Sequence, residues 1–204
     1  MTRARWRGLA AAGALLLLAV AGWWWLRPAP PHPDAARFTA PLAAQPFLQG
    51  LSSNDSVEQV RAVLQAAGYR VRAEAVQREP SADYPPWRMD TLTVHEYRHL
   101  DDTGRLRLEF FNDRLYEAEY QPADAASYAP RLLRAVPGLV RQPQGRRERL
   151  SAGLRVATNV ELVANAVGQA LGATPYVIWQ DRRLLAQREE WDARFGAAPF
   201  VEAD

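Results

Sequence analysis

Residues 105–120 read RLRLEFFNDRLYEAEY. Leu106, Leu108 and Phe110 alternate with Arg105, Arg107 and Glu109, the period of a strand with one face buried and one in water. Asn112-Asp113 supplies two residues that tolerate a positive φ, which a two-residue hairpin requires. Arg114 to Tyr120 then returns, with Tyr116, Ala118 and Tyr120 expected on one face. A hairpin of this kind between helical patterns predicts an α+β fold, with helices packed on an antiparallel β-meander.

The same signals extend outward. Thr91 to Tyr97 is β-branched and aromatic and reads as the preceding strand, with Asp101-Asp102-Thr103-Gly104 as its turn. Residues 77–88, QREPSADYPPWR, read as loop. Tyr69, Val71 and Ala73 alternate with Arg70, Arg72 and Glu74, a short half-buried strand. Asp55-Ser56-Val57-Glu58 has the form of a capping box, in which Asp55 and Glu58 satisfy free amides. It opens a helix through Val57, Val60, Leu64 and Ala67 that stops at Gly68. Downstream, residues 124–136 predict a helix with Ser127 as cap and Pro130 in the first turn. Thr158-Asn159-Val160-Glu161 predicts another, running through Val160, Val163, Val167 and Leu171 to Gly172. An apolar strand through Ile178-Trp179 then runs into a turn at Gln180 to Leu184. Val57-Glu58-x-Val60 beside Val160-Glu161-x-Val163 points to two related helix–hairpin units, 51–138 and 139–204, with chance similarity as the alternative.

The chain has 204 residues, 48% hydrophobic and 24% charged, enough for one ordinary domain plus an appendage. It has no Cys, which excludes disulfide scaffolds, Cys-ligated metals, thiol catalysis and a lipidated N-terminal Cys. All 25 basic residues are Arg, so with the abundant Ala a lone Arg says little about guanidinium chemistry. Arg3, Arg5, Arg7 and Arg27 give the first 27 residues a charge of +4 without an acid. The 23 acids outnumber the other 21 Arg, leaving −2 beyond residue 27. That nearly neutral remainder lacks the long-range field of a nucleic-acid binder.

Residues 8–26, GLAAAGALLLLAVAGWWWL, are 19 consecutive uncharged positions between Arg7 and Arg27. As a helix they would span about 28 Å, close to the hydrocarbon thickness of a bilayer. Three Arg before the segment and one after it place residues 1–7 in the cytoplasm and the rest outside. Trp23, Trp24 and Trp25 stand at the far end, where indoles prefer the membrane–water boundary. Ala19-Val20-Ala21 resembles a signal-peptide cleavage site, but the apolar run is longer than a signal core, so an uncleaved anchor is expected. In a Gram-negative cell, which the composition suggests, the anchor sits in the inner membrane and the domain in the periplasm. Residues 27–46 carry Pro28, Pro30, Pro31, Pro33, Pro41 and Pro46 and predict a stiff spacer, with His32 solvated, before a domain at 47–204.

The helix over Asn54 to Gly68 and the strand–turn–Arg-Leu pattern of Leu106 to Tyr120 resemble the SmpA/OmlA type. That fold is seen in the small lipoprotein of outer-membrane β-barrel assembly and in tandem in β-lactamase inhibitor protein. The quoted residues cover less than a third of the chain, and the lipid-accepting Cys of the lipoprotein is missing. The resemblance implies a non-catalytic domain that contacts other envelope proteins.

One string carries a catalytic pattern. His95-Glu96-Tyr97-Arg98-His99 matches H-E-x-x-H, in which a helix sets both His on one zinc and Glu96 activates water. Thr91 to Val94 instead lead into it as a strand, where positions four apart lie about 13 Å from each other. No His follows, so a third ligand would have to be Glu117 or Glu119. A zinc metallopeptidase therefore stands as the alternative to a non-catalytic, cofactor-free protein. There is no G-x-S-x-G elbow, P-loop or G-x-G-x-x-G, and Asp101-Asp102 reads as a turn former. Tyr84 and Trp87, on a Pro-rich loop, are candidate interface anchors or a lid on the sheet. Arg146, Arg147 and Arg149, with Arg141 and Arg155, form a candidate docking patch or a charged edge strand. Trp179 is expected in the core, and Trp191 and Phe195 on a docking face of a C-terminal helix. The expected partners are the bilayer and other envelope proteins; oligomeric state is not legible.

Overall fold

The alternation at 105–110 and the turn after it do form a hairpin, at the centre of a large sheet. The structure, a computed structural model, describes residues 31–78, 81–165 and 172–202. Its helices are α1 (Ala35–Thr39), α2 (Val57–Ala66), α3 (Ala125–Ala135), α4 (Val160–Ala164) and α5 (Arg182–Phe195). Its strands begin with β1 (Arg72–Arg78), β2 (Arg88–His99), β3 (Asp102–Phe111) and β4 (Leu115–Pro122). The remainder are β5 (Val140–Arg141), β6 (Arg147–Ser151), β7 (Leu154–Thr158), β8 (Val177–Asp181) and β9 (Phe200–Glu202). All pairings are antiparallel and give one sheet in the order β5-β6-β7-β8-β4-β3-β2-β1-β9. The α+β class is therefore as expected.

The two faces of the sheet pack differently. Leu92, Val94, Leu106, Leu108, Phe110, Ala118, Tyr120, Val156 and Trp179 form the main core under α2, α3 and α4. On the other face Phe111, Tyr116, Phe38 of α1 and Leu184 and Trp191 of α5 form a smaller core. Each buried Leu, Phe or Val contributes about 1.5–3 kcal/mol by leaving water.

Several local expectations are corrected. Helix α2 is capped one residue later than the sequence suggests: Ser56 accepts from the Gln59 amide and the Gln59 side chain answers the Ser56 amide. Asp55 instead accepts from the Ser52 amide at 2.7 Å, closing the turn before the helix. Strand β1 runs on to Arg78, so the 77–88 loop is shorter than expected. The turn before β3 is Leu100-Asp101, both with positive φ, and Asp102 is already in the strand and buried. Tyr116 does not share a face with Ala118 and Tyr120. The ladder passes from Glu109↔Glu117 to Phe110↔Leu115, a bulge that turns Tyr116 to the smaller core. Asp124, not Ser127, caps α3, and Pro130 lies inside that helix.

The second helix–hairpin unit is not formed. β8 pairs with β4, so the sheet continues across the supposed boundary, and Asp181 ends the strand as cap of α5 where a hairpin was expected. Residues 166–171, including Val167 and Leu171 of the expected second helix, lie outside the described residues.

Nor is residues 31–46 a spacer. Phe38 is fully buried, and Arg114 donates to the Phe38 and Ala40 carbonyls, the latter at 2.7 Å. Leu42 donates its amide to Asn54 and Gln45 its amide to Ser53, both at 2.9 Å. Arg183 reaches the Ala43 carbonyl at 2.6 Å, and Arg37 pairs with Glu190. His32 is not free in water: its ring meets Phe195 edge-on, with centroids 5.5 Å apart. This segment is a strap bound across the smaller core. No helix among the described residues is long and apolar enough to cross a membrane; residues 8–26, with Trp23, Trp24 and Trp25, lie outside them.

Candidate functional site

The H-E-x-x-H string lies in β2, not on a helix. The β2–β3 ladder shifts between Val94 and Tyr97 by one extra residue. The bulge leaves His95 and Glu96 exposed, while His99 turns into the core at 6% exposure. The one-turn spacing that would set both His on one ion is therefore absent, and no group of three His, Cys, Asp or Glu with metal-binding geometry occurs among the described residues. Glu117 and Glu119, the acids considered as third ligand, stand on β4 opposite Glu109 and Arg107.

His99 instead belongs to a buried polar cluster. Its Nδ1 lies 2.6 Å from the Tyr128 hydroxyl, and its ring packs on Tyr120, Tyr128 and Trp179 at 5.2–5.8 Å between centroids. Burial pushes the imidazole pKa down to about 4, with Asp102 acting weakly the other way. Tyr120 donates to Asp102 at 2.7 Å, and the Ala123 amide donates to the same oxygen. These groups satisfy one another where the β2–β3 turn meets α3.

A concavity lies elsewhere, beside β1. A cavity of about 280 Å³ is lined by Pro31, His32, Arg78, Tyr84, Pro85, Pro86 and Trp87, among others. Its loop is fixed at several points. Trp191 Nε1 donates to the Pro85 carbonyl at 3.0 Å, and Asn112 to that of Pro86 at 2.9 Å. Trp87 Nε1 donates to Asp192 at 3.1 Å, and its ring lies 5.8 Å from Trp191. Tyr84 and Trp87 thus cover the smaller core and also wall the cavity. Of the two sequence readings of Trp87, the lid on the sheet is the one this packing describes.

Arg78 is the residue that sequence reasoning missed. Its guanidinium carbon lies 3.3 Å from the Phe200 ring centroid, 5.1 Å from Trp87 and 5.7 Å from Trp191. Nη1 donates to the Ala198 carbonyl, Nε has no acceptor, and no carboxylate pairs with it among the described residues. A cation among aromatic faces is held by their negative π-clouds. Phe200 lies 122 positions away, so no local pattern announces the contact.

The arginine cluster lies at the opposite edge of the sheet. Arg147 pairs with Glu161 and donates to the Leu139 carbonyl at 3.1 Å. Arg149 donates to the Pro137 carbonyl at 3.0 Å, and Arg155 pairs with Glu148 at 2.5 Å. Arg141 and Arg146 are exposed and unpaired among the described residues. β5 pairs only with Arg147 and Glu148, so the outer side of Arg149–Ser151 has no strand neighbour among the described residues. Val140 and Leu150 are 63% and 56% exposed along this edge.

The chain matches no family model, no curated protein and no solved structure at a significant level.

Proposed function

We propose that this chain is a single-pass inner-membrane protein that presents its α+β domain to the periplasm as a non-catalytic binding or scaffold module for other envelope components. One observation carries the reading: an uncharged run of 19 residues, bounded by Arg, ends at Leu26, five positions before Pro31, the first described residue. The arginine bias orients the run, and Trp23 to Trp25 suit its outer boundary. The resemblance of residues 54–68 and 106–120 to the SmpA/OmlA type supports a role in contacting envelope proteins. The open edge at β5 and β6 suits such a contact, because unpaired strand groups beside Val140 and Leu150 can accept an added strand. Arg141 and Arg146 would select an acidic partner there.

Two measurements test this. A reporter active only outside the cytoplasm, fused after Asp204, should be active, and one active only inside should be silent; the reverse removes the reading. A photocrosslinking residue at Leu150 should give a discrete protein adduct in intact cells, whereas one at exposed Arg61 on α2 should not. Equal labelling from both positions would remove the edge as the contact surface.

A further inference from the structure

The strap changes how far the domain can stand from a membrane. Since residues 32–46 are bound to the domain, only residues 27–30 separate Leu26 from Pro31. Five Cα steps span at most about 18 Å even when fully extended, and a headgroup layer of about 5–7 Å takes up part of that. On the anchor reading, on which this inference rests, Pro31 is held next to the bilayer.

Pro31 walls the cavity beside β1, so on the anchor reading what surrounds that cavity lies within reach of the lipid. Phe200 is 56% exposed and lies over Arg78 and against Trp87. Val76, 46% exposed, stands two residues before Arg78 on the same face of β1, and Pro86 is exposed on the loop. Indole and phenyl rings beside a guanidinium with no carboxylate partner among the described residues match the interfacial layer, where rings reach the acyl boundary and a cation meets lipid phosphates. We infer that the face formed by Trp87, Phe200, Val76 and Arg78 rests in the bilayer interface and binds phospholipid headgroups. The domain then stands edge-on, with β9 toward the membrane and β5–β6 away from it.

The absence of Cys makes the test direct. Single-cysteine chains, Phe200→Cys, Val76→Cys and Leu150→Cys, are labelled with bimane and reconstituted at full length in phosphatidylcholine–phosphatidylglycerol vesicles carrying a shallow doxyl-lipid quencher. Leu150 lies seven strand spacings from β9, about 33 Å. Labels at 200 and 76 should be quenched at least about threefold more than the label at 150. Val76→Cys leaves Phe200 and Trp87 in place, so it reads the face without altering its rings. A fourth label, at Ala12→Cys, should be quenched by deep doxyl lipids. A quenched label at 12 with equal weak quenching at 76, 200 and 150, or stronger quenching at 150, overturns the orientation and leaves the anchor. An unquenched label at 12 overturns the anchor and this inference with it.

Discussion

At the scale of single residues, His99 and Gly104 are the two positions whose environment decides their chemistry. His99 takes up protons at its ordinary pKa, near 6.5, in the unfolded chain but only near pH 4 in the fold, because burial disfavours the imidazolium. Burial of the neutral ring costs nothing above pH 6.5, and stability is lost as pH falls below it, the loss reaching about 3 kcal/mol near pH 4. His99→Gln should cost about 1–2 kcal/mol at neutral pH through its packing and its Tyr128 contact. It should also flatten the acid limb, which urea midpoints between pH 7 and 4.5 would reveal; an unchanged limb would show that His99 does not set it. Gly104 is needed for closeness. A Cβ there would lie 2.2 Å from the Gln121 carbonyl oxygen and 2.8 Å from the Tyr120 hydroxyl. Gly104→Ala should therefore cost at least about 2–3 kcal/mol, seen as a thermal midpoint lowered by several degrees.

At the scale of elements, the strap depends on Arg114. This side chain is 4% exposed, and its guanidinium serves the Phe38, Ala40 and Phe111 carbonyls together with Gln187. Burial lowers its pKa to about 10 against the partial support of Asp181, which leaves it charged at neutral pH. Arg114→Met keeps the stem and removes the donors, leaving those carbonyls unanswered. It should cost about 2–4 kcal/mol and make residues 37–46 the first site of proteolysis, with the sheet still protected. Strands β2, β3, β4 and β8 were legible because alternation and turn residues act between neighbours: Leu106, Leu108 and Phe110 could be assigned a face from six residues. The strap was not legible, since its prolines are as compatible with a spacer as with a docked segment. What decides between them is Arg114, 74 and 76 positions from the carbonyls it binds. The cavity follows the same rule. Tyr84 and Trp87 could be singled out as loop aromatics, but Arg78 and Phe200 meet only when the end of the chain adds β9 to the sheet. The failed second hairpin differs, because Asp181 before Arg182 to Phe195 was itself a readable helix start.

For the whole molecule, the proposed anchor makes a prediction about extraction. A run of 19 apolar residues is held by hydrophobic transfer, which salt does not weaken. The protein should stay with membranes in molar salt, and bulky residues at Ala19 and Ala21 should alter neither its size nor its location. A domain held only by Arg141 and Arg146 would wash off as the Debye length shrinks toward about 3 Å. A native N-terminus found at Gly22, with the protein soluble after lysis, would make the segment a cleaved signal and remove the tether.

The joining of the strap to α5 also has a consequence in time. Phe38 packs on Phe195, and Asp34 pairs with Arg194, 160 positions further on. The α5 part of the strap's seat is therefore made only after some 160 further residues have followed it. Loop closure over so long a separation is slow compared with forming local hairpins. The β2–β3–β4 meander should acquire protected amides first and residues 35–43 last, an order that pulsed hydrogen exchange during refolding would resolve. On the proposed anchor, until that step the maturing chain would swing on a tether more than ten residues longer, and docking of the strap would draw the domain down onto the bilayer.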